Sequence, residues 1–471
     1  MKILAFDFGA SSGRAMAATL ENGKIKMEEI HRFSNDPVQI GDTFYWDVAR
    51  LFHEIKQGLM KAGAVDSVGI DTWGVDFGLL DESGRLISNP RNYRDTAYAE
   101  IGPGFFDKIP EEEIYPISGV PYLPFNTIYQ LYTLQQQQPW MLKSAKTLLL
   151  MPDLFGYFLT GVKNADFSNV STTSLMNVRT KKWDEKLIAA LGIDPSILPE
   201  IHYSGRVLGE ITPQLQEELM IPATKVITVG SHDTASAVLA VPAEPGEETA
   251  FISCGTWSLL GCEMDEPITD DAAREARLSN EGGVYGNVRF LRNIMGLWLV
   301  QETRRSFRKQ GKEYSFEDLK NMALESTIPS VIDVDDGRLS PPGNMPARIR
   351  AICEETNQPV PETDGDVMRI IYYSLAAKYK EAVAHLANVT GKKFTALRMV
   401  GGGIQDTLLC QLSADATGLP VYAGPVEATV LGNIAAQLIA LGAVKDVLEA
   451  RKLIADSFPL KTYLPRGDQE C

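Results

Sequence analysis

Residues 2–14 read KILAFDFGASSGR: an apolar run suited to a strand, a carboxylate near its end, and then a turn of small residues. A carboxylate at the end of a buried strand can hold a hydrated Mg²⁺. The small residues after it let backbone N–H groups and hydroxyls approach phosphate oxygens closely. No GKS or GKT follows, so the stretch is not a Walker A loop. A plain hairpin turn uses the same residue types, and the stretch alone leaves both readings open.

Working outward, Glu21-Asn22-Gly23 supplies a turn before a second extended segment. Asp47 is placed to cap a helix through about Leu59, with Leu51, Ile55 and Leu59 at helical spacing. A strand over 67–70 then runs into Asp71-Thr72-Trp73-Gly74. Strands alternating with helices predict an α/β domain around a central sheet.

The turn-rich acidic stretch VPAEPGEE (241–248) predicts a boundary, and a chain of 471 residues exceeds the roughly 150 typical of one domain. After it, 249–253 reads as a strand ending in Cys254-Gly255-Thr256. Each half thus opens with a strand that delivers its end into a small-residue turn, which suggests an old duplication. Near the end, 363–389 has helical periodicity, Gly391 stops it, and a strand over 396–400 enters Gly401-Gly402-Gly403.

The net charge of −16 opposes binding to nucleic acid or anionic membranes. The cysteines show no CxxC pair and read as reduced thiols of a cytoplasmic protein. Asp7 interrupts what would be the apolar core of a signal peptide. The most apolar long stretch, about 431–444, carries Asn433 and Gln437 and reads as a buried helix, too short to span a bilayer.

Three further constellations carry chemistry. In Gly230-Ser231-His232-Asp233-Thr234, an acid follows an apolar strand and precedes an Ala-rich helix, so it sits where α/β folds bind ligands. Phosphoryl transfer to a hydroxyl uses such an Asp as base; the plainer reading makes Asp233 a helix N-cap. His232 has no partner at metal-ligand spacing, so zinc is not expected. Gly255-Thr256-Trp257 offers donors for phosphates, and Gly401-Gly402-Gly403 lets a flat ring or phosphate lie on the backbone.

In their order along the chain, these motifs resemble the FGGY carbohydrate kinases from Asp7 to about Gln437. The segments are FGASSGR (8–14), IDTWGVDFGLLD (70–81), NYRD (92–95), PFNTIYQL (124–131), LLMPDLFGYFLTG (149–161), SHDTASAV (231–238), CGTWSL (254–259), NEGG (280–283), NIMGLWLVQ (293–301), VGGG (400–403) and AGPVEATVLGN (423–433). The resemblance implies an α/β, two-domain actin-like ATPase (ribonuclease H-like) fold with a central interdomain cleft. A sugar-binding domain would occupy 1–244 and a nucleotide-binding domain 245–471. ATP and Mg²⁺ are implied, with Ala10, Ser11, Ser12, Gly13 and Arg14 as the phosphate loop and Asp7 near the metal. Thr256, Gln301 and Gly402 would contact ATP. Gly74, His232, Asp233, Thr234 and Asn293 would contact the sugar, with Asp233 as proton acceptor. The implied acceptor is a ketose, L-rhamnulose, with Trp73, Val75 and Phe77 available to shield its methyl group. Kinases for fuculose or xylulose, and a non-catalytic sugar sensor, are the alternatives.

Overall fold

A computed structural model describes residues 1–242 and 246–467. Residues 243–245, where the expected boundary falls, and Cys471 lie outside the described residues. Two compact units result. One comprises Met1–Pro242, Glu263–Phe290 and Ala428–Phe458; the other comprises 246–262, 291–427 and 459–467. This differs from a single cut at 244/245, because 263–290 and 428–458 pack with the N-terminal residues.

The first sheet contains β1 (Lys2–Phe8), β2 (Ser12–Glu21), β3 (Lys24–Ser34), β4 (Ser67–Thr72), β5 (Arg206–Glu210) and β6 (Lys225–Thr228), in the order β5-β6-β4-β1-β2-β3. The second contains β7 (Thr249–Cys254), β8 (Trp257–Met264), β9 (Ser279–Gly282), β10 (Val288–Met295), β11 (Ala396–Val400), β12 (Val421–Ala423) and β13 (Lys461–Tyr463), in the order β9-β10-β8-β7-β11-β12-β13. Their pairings match. The opening strand is antiparallel to the next (β1–β2, β7–β8) and parallel to a later one (β1–β4, β7–β11). That strand is parallel to a further one (β4–β6, β11–β12), which is antiparallel to the last (β6–β5, β12–β13). The similar openings of the two halves thus extend to a shared strand topology.

Local signals account for the helices that position the site. Helix α1 (Val48–Ala62) starts where the Asp47 side chain accepts from the N–H of Arg50, and it buries Leu51, Ile55 and Leu59. Helix α2 (Asp233–Leu239) follows β6. Helix α3 (Trp298–Lys309) follows β10. Helix α4 (Asp364–Thr390) opens with a capping box between Thr363 and Asp366 and ends at Gly391 with φ 69°. Helix α5 (Thr407–Thr417) is capped by Asp406.

Helix α6 (Ala428–Ala440) is the buried helix expected near 431–444. Its polar residues stitch it to the first sheet. Gln437 donates to Leu4 O at 3.0 Å and accepts from Ser67 Oγ at 2.6 Å, while Asn433 Nδ2 donates to Asp71 Oδ2 at 2.6 Å. Buried amides satisfied in this way fix the register of helix against sheet. At Gly432, a Cβ would lie 1.7 Å from Ser236 O on α2. Gly432→Ala therefore pushes α6 away from the helix that carries Asp233. The expected loss is about 1–3 kcal/mol or more in chemical unfolding, with a drop in any activity that depends on Asp233. A variant as stable as the parent would show that the helices slide freely.

Candidate active site

The C-terminal ends of β1, β4 and β6 bring three carboxylates together. Asp7 and Asp71 are register partners on the parallel strands β1 and β4, and the loop after β6 carries Asp233. Thr72 N donates to Ser231 O at 2.9 Å, which ties that loop to the end of β4.

Asp7 does not stand alone. Arg14, its cross-strand partner on β2, donates Nε and Nη2 to Asp7 Oδ2 at 3.1 and 2.9 Å. The expected phosphate residue Arg14 is thus turned onto the carboxylate. Asp71 is fully buried; its Oδ2 is held by Asn433, and its Oδ1 has no hydrogen-bond partner among the described residues. Burial first, and the Asp7 charge next, push its carboxyl well above the ordinary value.

The hairpin tip after β1 is tight. Gly9 N donates to Ser12 O at 2.9 Å, and Asn35 braces the turn through Gly9 O and Ser11 O. Ser11 and Ser12 are exposed and Ala10 is half-buried, available to a ligand. Gly13 is instead required by packing, since a Cβ there would lie 2.3 Å from the Phe33 ring.

Asp233 is the first residue of α2, and His232 holds the N-cap position without a side-chain cap bond. The N-cap reading of Asp233 is thereby replaced. Its Oδ1 accepts from Thr234 N and Oγ1 at 2.6 and 3.1 Å and faces His232 Nε2 at 3.4 Å. Its Oδ2 has no hydrogen-bond partner among the described residues. The side chain keeps 32% exposure. Burial is the main influence raising its carboxyl and the Asp7 charge adds to it, while His232 opposes them.

Behind His232 lies a buried pair that the sequence reading did not single out. Arg289 on β10 has no exposed side-chain surface and lies 3.3 Å from Glu281 Oε2; its Nη2 is 3.1 Å from His232 Nδ1. Burial pushes the Arg289 guanidinium down; burial would raise Glu281, but His232 and Arg289 hold it below its ordinary value. Arg289 stands inside an otherwise apolar run, VRFL, and a charge there demands a buried partner.

Gly74 is half-buried, and a Cβ there would come within 3.0 Å of Thr172 Oγ1. Its neighbour Val75 has φ 68°, a strained conformation for a β-branched residue. Trp73, Val75 and Phe77, expected to shield a methyl group, are buried; Trp73 packs against Trp46 with ring centroids 4.0 Å apart and the rings tilted by 32°, and Phe77 packs in a separate hydrophobic core.

In the second unit, the ends of β7 and β11 form another small-residue surface. Gly401 (φ 89°) and Gly403 are forced by Cys254: a Cβ at Gly401 would be 2.9 Å from its carbonyl, and one at Gly403 would be 2.4 Å from its Sγ. Gly402 meets nothing within 4 Å and is exposed. Thr256 is half-buried, and its carbonyl accepts from Gly296 N and Trp298 N at 3.1 and 3.2 Å. Gln301 lies half-buried on α3, and Asn293 half-buried on β10.

Among the described residues, no three His, Cys, Asp or Glu side chains form a ready metal site. A Mg²⁺ bound to nucleotide phosphates needs only one or two protein carboxylates and keeps its waters. Asp7 and the unpartnered Asp71 Oδ1 fit that demand.

Comparison with known proteins gives a consistent result. Residues 2–240 match the N-terminal domain, and 250–441 the C-terminal domain, of the FGGY family of carbohydrate kinases. The chain is 42% identical to the rhamnulokinase of Halalkalibacterium halodurans, covering 98% of each protein. It is 41% identical to that of Oceanobacillus iheyensis, covering 98% of this chain and 97% of that protein. Among solved structures, a gluconate kinase from Lactobacillus acidophilus superposes with TM-score 0.80 at 18% identity, over 98% of this chain and 93% of the other. A Plasmodium falciparum glycerol kinase with ADP gives 0.78 at 16%, over 99% and 94%.

Proposed function

The chain belongs to the FGGY family of carbohydrate kinases, and from that premise we propose that it phosphorylates L-rhamnulose at the C1 hydroxyl with ATP. The observation that carries the chemistry is the tethering of Asp233. One oxygen is engaged by Thr234 and His232, and the other is left to a substrate hydroxyl. The sugar is supported by the names of the relatives at 41–42% identity.

The C1 oxygen forms a bond to the γ-phosphorus while the bond from that phosphorus to the β,γ-bridging oxygen breaks. The hydroxyl proton passes to Asp233, and ADP leaves with the electron pair. Gly74, His232, Thr234 and Asn293 would hold the sugar, assigning it chiefly to the N-terminal domain. The hairpin at Ala10–Ser12 and the second-unit residues Thr256, Gln301 and Gly402 would hold the nucleotide. Asp7 and Asp71 would hold Mg²⁺, which when bound neutralises charge on the β- and γ-phosphate oxygens. Gly13 and Arg14 would act through the hairpin's shape and the Asp7 pairing. A cytoplasmic site of action accords with ATP as substrate and with the buried thiols of Cys254, Cys353 and Cys410.

Release of ADP with L-rhamnulose, L-fuculose, L-xylulose and the matching aldoses tests the reading. L-Rhamnulose is expected to give the highest kcat/KM, and a clearly better ketose would replace it. One methyl is worth only about 1–3 kcal/mol in a pocket, so related ketoses are expected to react more slowly rather than not at all.

Gly402 gives a separate test of the nucleotide surface. Its φ is not left-handed and a Cβ meets open space, so Gly402→Val leaves the fold intact. The side chain would cover the surface assigned to the nucleotide, raising the KM for ATP with little change in that for sugar. An unchanged ATP KM would remove Gly402 from the site.

A further inference from the structure

His232 can carry its proton on either ring nitrogen, and the choice decides what it presents to Asp233. Two groups compete at Nδ1. Arg289 Nη2 lies 3.1 Å away and can only donate; Glu281 Oε2 lies 3.4 Å away and can only accept when ionised. The guanidinium is the closer and is anchored elsewhere, its Nε donating to Gly282 O at 2.9 Å. Glu281 in turn is matched by Arg289 at 3.3 Å. The His232 backbone is also fixed, its N–H donating to Ser168 Oγ at 3.2 Å, so the ring cannot escape by moving the loop.

We propose that Arg289, held by Glu281, is a positioning residue that keeps His232 in the Nε2–H tautomer, so that His232 occupies Asp233 Oδ1 and Oδ2 becomes the oxygen that accepts the sugar proton. An acceptor at Nδ1 puts the ring proton on Nε2, which faces Asp233 Oδ1 at 3.4 Å. With Thr234 on the same oxygen, the base presents a single oxygen in one orientation. Without Arg289, Glu281 would draw the proton to Nδ1 and turn the Nε2 lone pair towards the carboxylate. The catalytic part of the proposal rests on the kinase reading above; the tautomer does not.

The test uses the full chain labelled with ¹⁵N-histidine at pH 8, where an ordinary imidazole is neutral. The His232 signals are assigned by their loss in His232→Asn. Long-range ¹H–¹⁵N correlation is expected to show a protonated Nε2 and a bare Nδ1; a protonated Nδ1 overturns the proposal. Changing Glu281→Gln and Arg289→Gln together removes both buried charges, so that neither is stranded. This double variant is expected to lose the single tautomer and to lower kcat by roughly 10–10²-fold, with the KM for ATP unchanged. A folded double variant with the parental spectrum and kcat also overturns the proposal. If the double variant does not fold, the parental spectrum decides alone. A parent that phosphorylates no ketose sinks the kinase reading and leaves the tautomer to be judged by its spectrum.

Discussion

Asp233→Asn is expected to lower kcat by about 10²–10⁴-fold while the protein stays folded and still binds sugar. Asn retains an oxygen at the Oδ1 position, so the bonds from Thr234 N and Oγ1 survive. As Asp233 is the first helical residue rather than the N-cap, the helix start loses little beyond a favourable negative charge. What Asn cannot do is take a hydroxyl proton near neutral pH. Thermal unfolding separates lost chemistry from lost fold, and calorimetry with the sugar separates it from lost affinity. The base must be ionised to act, and burial raises its pKa, so the parent's kcat/KM is expected to fall with decreasing pH above the ordinary carboxylate range. The residual activity of the Asn variant should lack that limb. A near-parental kcat would leave Asp233 a structural residue and the base unassigned.

The largest stability effect is expected at Asp76, which anchors the turn after β4 that carries Gly74. Its Oδ2 accepts from Trp46 Nε1, Trp73 Nε1 and Tyr93 N at 2.6, 2.9 and 3.2 Å, and its Oδ1 accepts from Gln130 Nε2 at 2.8 Å. Gln130 keeps a second acceptor in Phe125 O, whereas the two indoles would be stranded by Asp76→Ala. At about 1–3 kcal/mol for each buried donor, the expected loss is roughly 2 kcal/mol or more. Burial pushes the Asp76 carboxyl up to about 7, against the pull of its donors. Between its ordinary value and about 7, the native state therefore holds a proton that the unfolded state has released. Its contribution to stability is full below that window and falls as pH rises through it. The Ala variant has no such group, so the loss should be greater at pH 5 than at pH 8. Paired denaturant titrations at the two pH values check this; a loss independent of pH would mean that Asp76 is ionised throughout.

Much of the fold was legible because its signals are local. The strands read at 2–8, 67–70 and 249–253, the last two of which run on to Thr72 and Cys254, the Asp47 cap, the long helix stopped by Gly391 and the buried helix near 431 each follow from pattern and punctuation within a few residues. The order of the small-residue turns carried the family, and it placed Asp7, Asp233 and Gly402 at strand or helix ends. The sequence was silent on contacts across long separations. Arg14 was read as part of the phosphate loop, but its pairing with Asp7 comes from the antiparallel register of β1 and β2, which no local signal announces. Asp71 passed as part of a motif until parallel pairing set it beside Asp7 and helix α6 brought Asn433 to it across 362 positions. Arg289 and His232 lie 57 positions apart, and only the packing of β10 against the loop after β6 joins them. Propensity and periodicity act over a turn or a strand. The pairing of buried charges is set by strand register and helix docking, where an unmatched charge costs several kcal/mol and every partner must come from elsewhere in the chain.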